Sequence, residues 1–466
     1  MSDKEARPNR SRTPDSKNFL KYISQGWANS SAAKPKPWDV APFSAQRRQL
    51  LADKFPGKVL EIEAGETKVR ANDTEYRYRA HSAFSHLTGW GNQTVPGSVL
   101  VIDARGKKAK STLYLRPTAG RNSAEFFSNP MIGEFWVGQR PNLKDVEIQL
   151  GIATKDLAKL PNLKKEFGKD LLTLDSAKLL EAVSVLRFVK DKYEIAEMRK
   201  AVAATVRGFE DVVRDLPRAI KSQRGERVVE TTFFARARHD GNDLGYETIS
   251  AAGAHACILH WTRNDGAIKK NDLLLLDAGV EVDSLYTADV TRTIPVSGKF
   301  SAVQKKLYEI VLEAADAGFA VAKPGVKFKA VHEAAMQVIA KRTFELGILP
   351  VSAEESLDPK NQHHRRWMVH GTSHHLGLDV HDCAQAKREL YLESVLEPGM
   401  IFTIEPGLYF HADDTLVPKS FRGIGIRIED DVLVTANGVE NLSRALPRTV
   451  SEIEDWMAQL SVGSAG

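Results

Sequence analysis

The sequence reads LLLLDAG at residues 273–279 and ADVTRTI at residues 288–294, and these two runs decide the interpretation of the fold. The first is an apolar run that ends in Asp277. A buried strand that stops on an acid places that acid at the strand's end, where sites on α/β scaffolds usually lie. In the second run, the two-residue period of a strand puts Asp289 and Thr291 on one face. Both strands are therefore predicted to present a carboxylate beside an apolar core.

Two later strands repeat this arrangement. IFTIEPG at residues 401–407 presents Glu405, and GIGIRIEDD at residues 423–431 presents Glu429 on the same face as Arg427. A single acid of this kind is more often a surface carboxylate on a half-exposed strand. Four of them, each flanked by apolar residues and by Gly or Pro turns, are costly to bury unpaired. The four acids together therefore indicate a site that binds cations.

Six of the 13 histidines fall between residues 363 and 381, and the centre of this cluster is HGTSHHLGLDVHD at residues 370–382. A histidine cluster can be accidental, but four acids and a histidine supply the ligands that a pair of divalent cations requires. Ligation by oxygen atoms and one imidazole favours Mn²⁺, Co²⁺ or Fe²⁺ over a thiolate-bound zinc. Two such ions, about 3.5–4 Å apart, would hold a bridging water, lower its pKa and polarise a substrate carbonyl. That is the chemistry of amide hydrolysis.

The composition excludes several other classes of protein. The chain has 466 residues, of which 42% are hydrophobic, and a formal net charge of +5, which predicts two or three ordinary globular domains without a nucleic-acid footprint. No apolar run approaches the roughly 18 residues of a membrane span, and the N-terminus lacks the apolar segment of a secretory signal. The two cysteines, Cys257 and Cys383, form no disulfide framework. We therefore predict a cytoplasmic protein with neither nucleic-acid nor membrane partners.

The chain divides into three predicted segments. Residues 1–40 are polar and proline-containing, which is typical of a flexible extension. Residues 41–178 have a mixed α/β pattern, with short buried strands predicted at SVLVID (98–103) and STLYLRP (111–117). Neither a G-x-G-x-x-G nor a G-x-x-x-x-G-K-[ST] motif is present, so nothing indicates a phosphate site.

The third segment, residues 179–466, opens with a long amphipathic helix. Apolar residues recur from Ile195 to Leu216 at steps of three and four, and we predict that Pro217 ends this helix. A second helix is predicted over residues 302–322. Since strands rich in Ile, Val and Leu then alternate with helices, the fold class is α/β (α+β).

The motifs taken together resemble those of a known family. DAG…ADVTRT, HGTSHHLGLDVHD, TIEPGLY and GIGIRIEDD look like the metal-binding motifs of the "pita-bread" metallopeptidases, and most of all those of the aminopeptidase P and prolidase group. The similarity covers residues 180–445, and EYRYRAHSAFSHLTGW (75–90) is similar to the domain that precedes the catalytic one in this group. The resemblance implies a non-catalytic mixed α/β N-terminal domain followed by a pita-bread catalytic domain.

The same resemblance implies which residues bind metal. Carried over by motif, two divalent metal ions, most of all Mn²⁺ with Co²⁺, Fe²⁺ and Zn²⁺ as alternatives, would be held by Asp277, Asp289, His374, Glu405 and Glu429. Asp289 and Glu429 would contact both ions. In HGTSHH the first histidine of the final pair aligns with the ligand, so His375 is a neighbour and not a ligand.

Further residues resemble those that act on substrate in this family. His260, in CILHWT, resembles a substrate-binding histidine, and His370 and His381 resemble the pair that contacts substrate and steadies the tetrahedral intermediate. Arg427 and Tyr409 match positions near the metal-bridging solvent, and Glu405 could pass a proton to the leaving nitrogen. The alternative for each histidine is a structural, hydrogen-bonded role.

The chain departs from the family pattern at two places. Asp277 and Asp289 are 12 residues apart, one more than in the commoner pattern, and the extra residue falls in VEVDSLYT (280–287), a predicted hairpin turn that can absorb it. The polar stretch PVSAEESLDPKNQHHRR (350–366) looks like an added loop that shapes the entrance to the site.

Three functions follow from the resemblance. The first is an aminopeptidase that releases the N-terminal residue from peptides with proline in second position, by attack of a hydroxide that bridges two metal ions. The second is a prolidase, which cuts only Xaa-Pro dipeptides, and the third is a metal-free peptide-binding protein of the same fold. The residues of the motifs favour the first function. Methionine aminopeptidase, a related enzyme, is disfavoured because it lacks a comparable N-terminal domain. Proteins of this group are usually homodimers or homotetramers.

Overall fold

The computed structural model describes residues 14, 16–28, 35–121 and 123–462. The flexible extension predicted over residues 1–40 lies partly outside these ranges, and its described part contains one short helix, α1 (Lys17–Ile23). The chain forms two compact units, Met1–Val183 and Ser184–Gly466. None of the helices within the described ranges has both the length and the apolar character needed to span a bilayer.

The first unit is a five-stranded mixed sheet with helices. Its further helices are α2 (Ala41–Asp53), α3 (Ser82–Thr88), α4 (Glu125–Ser128), α5 (Glu134–Val137), α6 (Leu143–Leu150) and α7 (Leu163–Phe167). Its strands are β1 (Val59–Glu63), β2 (Val69–Ala71), β3 (Thr74–Glu75), β4 (Val99–Asp103), β5 (Lys110–Leu115), β6 (Ala153–Asp156) and β7 (Leu171–Leu172). The sheet order is β6-β5-β4-β1-β7, and β4 and β5 confirm the two strands predicted from SVLVID and STLYLRP.

The second unit holds the motif strands. After α8 (Ala177–Val185), its helices are α9 (Lys192–Lys221), α10 (Gly225–Asp240), α11 (Ala302–Val321), α12 (Lys329–Glu345), α13 (Ala353–Leu357), α14 (Arg388–Leu392) and α15 (Val450–Val462). Its strands are β8 (Asp243–Leu244), β9 (Ile249–Ala252), β10 (Leu273–Ala278), β11 (Val280–Glu281), β12 (Val290–Pro295), β13 (Ile401–Ile404), β14 (Gly407–Phe410), β15 (Ile424–Arg427), β16 (Asp430–Val434) and β17 (Val439–Asn441). They pair as β12-β10-β9, β13-β16-β17, β14-β15 and β11-β8.

The four predicted acids gather at strand ends. Asp277 lies within β10, opposite Thr291 of the antiparallel β12. The other three lie just outside the regular strands: Asp289 precedes β12, Glu405 follows β13, and Glu429 separates β15 from β16. The expectation that all four acids lie on strand faces is therefore wrong for three of them. At a strand end a side chain leaves the pleated alternation and can turn toward its neighbours.

Helix α9 shows the predicted amphipathic face but a different end. Asp191 caps it and forms a reciprocal capping box with Glu194, and the buried face includes Met198 and Phe209. The helix continues through Pro217 to Lys221, so the predicted stop at Pro217 is wrong. Proline removes one backbone hydrogen bond, but Leu216 and Ala219 remain buried in the core and hold the last turn in place.

Helix α11 confirms the second predicted helix. Ser301 caps its N-terminus in a reciprocal box with Gln304. Leu307 and Val311 on its inner face are fully buried and join one hydrophobic cluster with Leu274 and Leu276 of β10. The strand that carries Asp277 is thereby fixed from behind by apolar packing.

Candidate metal and substrate site

One cavity brings the predicted site residues together. It has a volume of about 540 Å³, and its lining includes Asp277, Asp289, His374, Glu405, Glu429, His260, His370, His381 and Arg427. Tyr409 is buried next to them and is linked to His370 and Arg427 by hydrogen bonds. All ten residues singled out in the sequence therefore converge on one place in the second unit.

Three of the five predicted ligands form a compact group. One ligand atom each of Asp289, His374 and Glu429 lies within 4.8 Å of the other two. His374 Nε2 lies 3.2 Å from Asp289 Oδ2 and 3.7 Å from Glu405 Oε1, which places Glu405 at the edge of this group. Asp277 instead pairs with the Arg427 guanidinium.

The orientation of His374 suits a metal ligand. Its Nδ1 lies 3.2 Å from the carbonyl oxygen of His375, so Nδ1 carries the proton and donates. Nε2 then faces Asp289 and Glu405 and is the ring nitrogen available to a metal ion. Thr291 Oγ1 donates to Glu429 Oε2 at 2.7 Å, and the backbone N–H of Asp289 donates to the Asp431 carboxylate at 3.2 Å. Outer hydrogen bonds of this kind orient ligands in metal sites.

Negative charge is crowded in the cavity. Burial, reinforced by the charges of Asp289 and Asp277, raises the pKa of Glu405 to about 7, although His374 and Arg427 act in the opposite direction. Burial and the same two carboxylates hold the pKa of Glu429 well above its usual value. Burial alone would lower the pKa of His374, but the hydrogen bond with Asp289 and the charge of Glu405 raise it to about 9. Buried carboxylates with one imidazole are a donor set that fits divalent cations.

A neutral histidine, a tyrosine and an arginine form a second group. His370 Nδ1 lies 2.7 Å from the Gly371 carbonyl oxygen and donates to it, so His370 Nε2 accepts from the Tyr409 hydroxyl at 2.7 Å. Arg427 Nη1 donates to the same hydroxyl oxygen at 3.0 Å. Burial, and then the charge of Arg427, lower the pKa of His370 to about 3, so this imidazole is neutral. His381 packs edge-on against His374, with ring centroids 4.6 Å apart.

His260 is exposed and lies on a loop that a buried carboxylate holds in place. The carboxylate of Glu226 accepts four hydrogen bonds of 2.7–2.9 Å, from Ala252 N, His255 Nδ1, Trp261 Nε1 and Gly266 N. Gly425 of β15 lets this loop pack closely against the strand, because a Cβ there would lie 2.2 Å from the Ala256 carbonyl oxygen. No motif in the sequence marked Glu226.

Tyr246 and the salt bridges of Asp382 are two further features of the site that no sequence motif indicated. The Tyr246 hydroxyl bonds to Asp277 Oδ1 at 2.6 Å and also to Asp289, which ties the two acids together. Asp382, the last residue of the quoted histidine motif, pairs with Arg187 at 3.1 Å and Lys190 at 3.2 Å. A Cβ on Gly377 would lie 2.3 Å from Asp382 Oδ2, so only glycine fits beside this group. The position of Asp382 directly after His381 was the one available signal.

The segment 350–366 is more ordered than an added loop. It contains α13 and a 3₁₀ turn over His363–Arg366, and Ser352 caps α13 by accepting from Glu355 N. Ser356 Oγ lies 2.9 Å from His364 Nδ1, which closes the segment on itself. In the turn predicted at residues 280–287, Val282 N bonds to Tyr286 O and Leu285 takes a positive φ of 71°.

His375 occupies an aromatic environment. Its ring stacks on Phe328 at 4.4 Å and meets Phe188 and Tyr391 edge-on, and neither ring nitrogen has a hydrogen-bond partner among the described residues. Burying an imidazole in this way costs about 1–3 kcal/mol. We therefore expect His375→Phe to raise the free energy of unfolding by about 1 kcal/mol, measured by urea denaturation. Unchanged or lower stability would show that the ring nitrogens are satisfied.

Comparison with known proteins agrees with this geometry. The description "Metallopeptidase family M24" matches residues 196–436, and "Aminopeptidase P, N-terminal domain" matches residues 44–172. Since the first match spans more than half of the chain, the protein belongs to metallopeptidase family M24. The predicted family, the fold of a mixed α/β domain followed by a pita-bread domain, and the class of enzyme are thereby confirmed.

Similar proteins with known names extend the comparison. Xaa-Pro aminopeptidase 1 of Streptomyces coelicolor is 47% identical over 463 residues, which cover 96% of this chain and 93% of the relative. The Xaa-Pro aminopeptidase of Escherichia coli is 31% identical over 89% of this chain and 97% of its own. The structure of Pseudomonas aeruginosa aminopeptidase PepP matches with a TM-score of 0.78 at 30% identity, covering 92% of this chain and all of that one. Zinc-substituted E. coli aminopeptidase P in complex with product matches with a TM-score of 0.74 at 29% identity, covering 90% and 98%.

Proposed function

We propose that this metallopeptidase is an Xaa-Pro aminopeptidase, which releases the N-terminal residue from peptides with proline in second position. The observation that carries the proposal is the convergence of four acids, four histidines, Tyr409 and Arg427 on one cavity. The relatives named Xaa-Pro aminopeptidase match along nearly their whole length, which supports the same substrate class and disfavours a prolidase. A metal-free binding protein is disfavoured because every ligand position has a side chain able to bind metal.

Five side chains would hold the metal ions. We assign Asp277, Asp289, His374, Glu405 and Glu429 as ligands of two divalent ions, with Mn²⁺ as the preferred metal because oxygen donors predominate. Ions bound in such a site act as Lewis acids and make a nucleophile available at neutral pH by lowering the pKa of water.

The residues of the chain then have distinct tasks. His370 and His381 both line the cavity with the acids, and the neutral imidazole of His381 can donate to a carbonyl oxygen as it gains charge. Arg427 fixes the Tyr409 hydroxyl against His370 and so keeps this group rigid. The leaving nitrogen of proline carries no hydrogen and must receive a proton, and Glu405, 3.6 Å from His370 Nδ1, is the acid placed to deliver it. His260 would contact the peptide beyond this bond.

The cellular setting is also part of the proposal. Cys257 and Cys383 are both free and buried, which suits a cytoplasmic protein. Met131, Phe135 and Trp136 of the first unit expose 46%, 59% and 54% of their surfaces, and a cluster of exposed apolar side chains is typical of a contact surface. We therefore propose a homodimer or homotetramer with peptides as its substrates, and with neither nucleic acid nor membrane as a partner.

The test compares three substrates. We expect manganese-loaded protein to release the first residue from an Xaa-Pro-Pro tripeptide. It should cleave a matched Xaa-Ala-Pro tripeptide at least about 100-fold more slowly, since the site is proposed to require proline. Chelation should abolish the activity, and Mn²⁺ should restore it. Turnover of an Xaa-Pro dipeptide alone would instead make the protein a prolidase. Equal turnover of the two tripeptides would contradict proline specificity.

A further inference from the structure

The Arg365 side chain forms hydrogen bonds with the turn that precedes His370. Its Nε donates to the Met368 carbonyl at 2.7 Å, and its Nη2 donates to the carbonyls of Val369 at 2.6 Å and His370 at 2.8 Å. Three successive backbone carbonyls thus bind one guanidinium. This planar fork holds their relative directions, which a flexible ammonium group could not do.

A fourth hydrogen bond of Arg365 connects it indirectly, through His332 and Thr372, to Glu405. Arg365 Nη1 donates to His332 Nε2 on α12 at 2.7 Å. Because Nε2 accepts, the neutral tautomer carries its proton on Nδ1, which lies 2.8 Å from Thr372 Oγ1 and 3.2 Å from the Thr372 backbone nitrogen. The carbonyl of Thr372 in turn accepts from the backbone N–H of Glu405 at 2.8 Å. Burial, and then the charge of Arg365, lower the pKa of His332 to about 4, which agrees with this neutral tautomer.

The contacts therefore fix the segment 370–372 from both ends. Arg365 holds the carbonyl of His370, and His332 holds Thr372. Between them, the His370 ring keeps Nε2 on the Tyr409 hydroxyl. A rotation of the peptide after Val369 would swing this ring away from the acids, and nothing else on the Met368–His370 carbonyls opposes it among the hydrogen bonds of the described residues.

We propose that Arg365 is a positioning residue, which sets the imidazole of His370 for the reaction through the Met368–His370 carbonyls and through His332. This inference rests on the proposed function, because it assigns His370 a role in peptide cleavage. Because Arg365 belongs to the segment 350–366, the proposal also means that part of this segment acts at the site itself, and not only at its entrance.

The neighbouring arginine is a matched control. Arg366 pairs with Asp414 through two hydrogen bonds of 3.0 and 3.1 Å, its side chain is 51% exposed, and among the described residues it makes no hydrogen bond to the Met368–His370 carbonyls. Both residues are in the same 3₁₀ turn, so local disturbance of that turn should affect them alike. Only Arg365 reaches His370.

The experiment measures kcat and KM on the Xaa-Pro-Pro tripeptide for Arg365→Ala, Arg365→Lys and Arg366→Ala. We expect Arg365→Ala to lower kcat about 100-fold with KM changed less than about threefold, because a misplacement near 1 Å at a reacting group has that effect. Arg365→Lys should recover only part of this loss, and Arg366→Ala should stay within about threefold of the parent. Added guanidinium should partly rescue Arg365→Ala.

A mutant cycle and hydrogen exchange separate positioning from loss of structure. If Arg365 acts through His370, Arg365→Ala should add no further loss to His370→Ala, and losses that multiply would overturn the proposal. Amide exchange of residues 368–372 should speed up in Arg365→Ala and not in Arg366→Ala, a result that does not depend on activity. Unaltered exchange and kinetics matching those of Arg366→Ala would also overturn it. A parent enzyme inactive on the tripeptide, with the exchange difference present, would instead reject only the substrate assignment.

Discussion

Asp289→Asn should lose metal binding and peptidase activity together while remaining folded. Asp289 contributes to the compact ligand group and contacts both His374 and Tyr246, so no other acid can replace it without moving. We expect activity at saturating substrate to fall by at least about 1000-fold, since changes even to groups behind the ligands cost about 10–100-fold. Metal content, measured by elemental analysis after dialysis, should fall in parallel.

The stability of the metal-free protein distinguishes this result from misfolding. The charge of Asp289 raises the pKa values of Asp277 and Glu429, so removing it relieves repulsion between buried acids. The metal-free variant should therefore unfold at no lower temperature than metal-free parent, and added Mn²⁺ should stabilise only the parent. Asp283→Asn, an exposed acid of the preceding hairpin, is the control that should keep both metal and activity. A variant that retains its metal would contradict the assignment.

Asp382→Asn should cause the largest loss of stability. The substitution leaves two buried cations, Arg187 at 7% and Lys190 at 0% side-chain exposure, without the carboxylate that pairs with both. Removing one partner of a buried ion pair costs about 3–5 kcal/mol. Urea unfolding should show this loss. Asp379→Asn, which removes a 37% exposed partner of the same Arg187, should cost less than about 1 kcal/mol.

The pH dependence of that difference has a definite sign. Although burial opposes it, Arg187 and Lys190 hold the pKa of Asp382 below its ordinary value of 3.8. A carboxyl whose pKa is depressed in the folded state stabilises the protein above the unfolded value and loses this contribution as pH falls through the folded one. The gap between the parent and Asp382→Asn should therefore stay constant from pH 7 to about pH 5 and narrow below pH 3.8. A gap that widens on acidification would exclude this ion-pair explanation.

The sequence revealed the four acids of the cavity because they interrupt apolar runs. A charged residue inside LLLLDAG is visible without any knowledge of the fold, and so is the crowding of histidines at residues 370–382. The exact partners were not visible. Tyr246 is 31 positions from Asp277, and Lys190 is 192 positions from Asp382, and no periodic pattern connects residues that far apart.

Local rules failed where tertiary packing opposed them. Proline ends most helices, but Pro217 sits over a core that keeps Leu216 and Ala219 buried, and α9 continues past it. Arg427 was predicted near the solvent of the site, but its pairing with Asp277 depends on how β10 and β15 approach each other. In both cases the outcome depends on contacts between segments that are distant in the sequence. Such contacts cannot be inferred from local sequence patterns.

The two cysteines give the protein a practical property. Cys257 is 2% exposed and Cys383 is fully buried, and burial raises the pKa of Cys257 to about 12 and that of Cys383 further. Thiol reagents attack the thiolate at an accessible sulfur, so neither residue should take up label in the folded protein. A cysteine introduced on either unit would consequently be the sole labelled position, without a cysteine-free background. Spin or fluorescent labels could then test whether copies of the chain associate, as proposed.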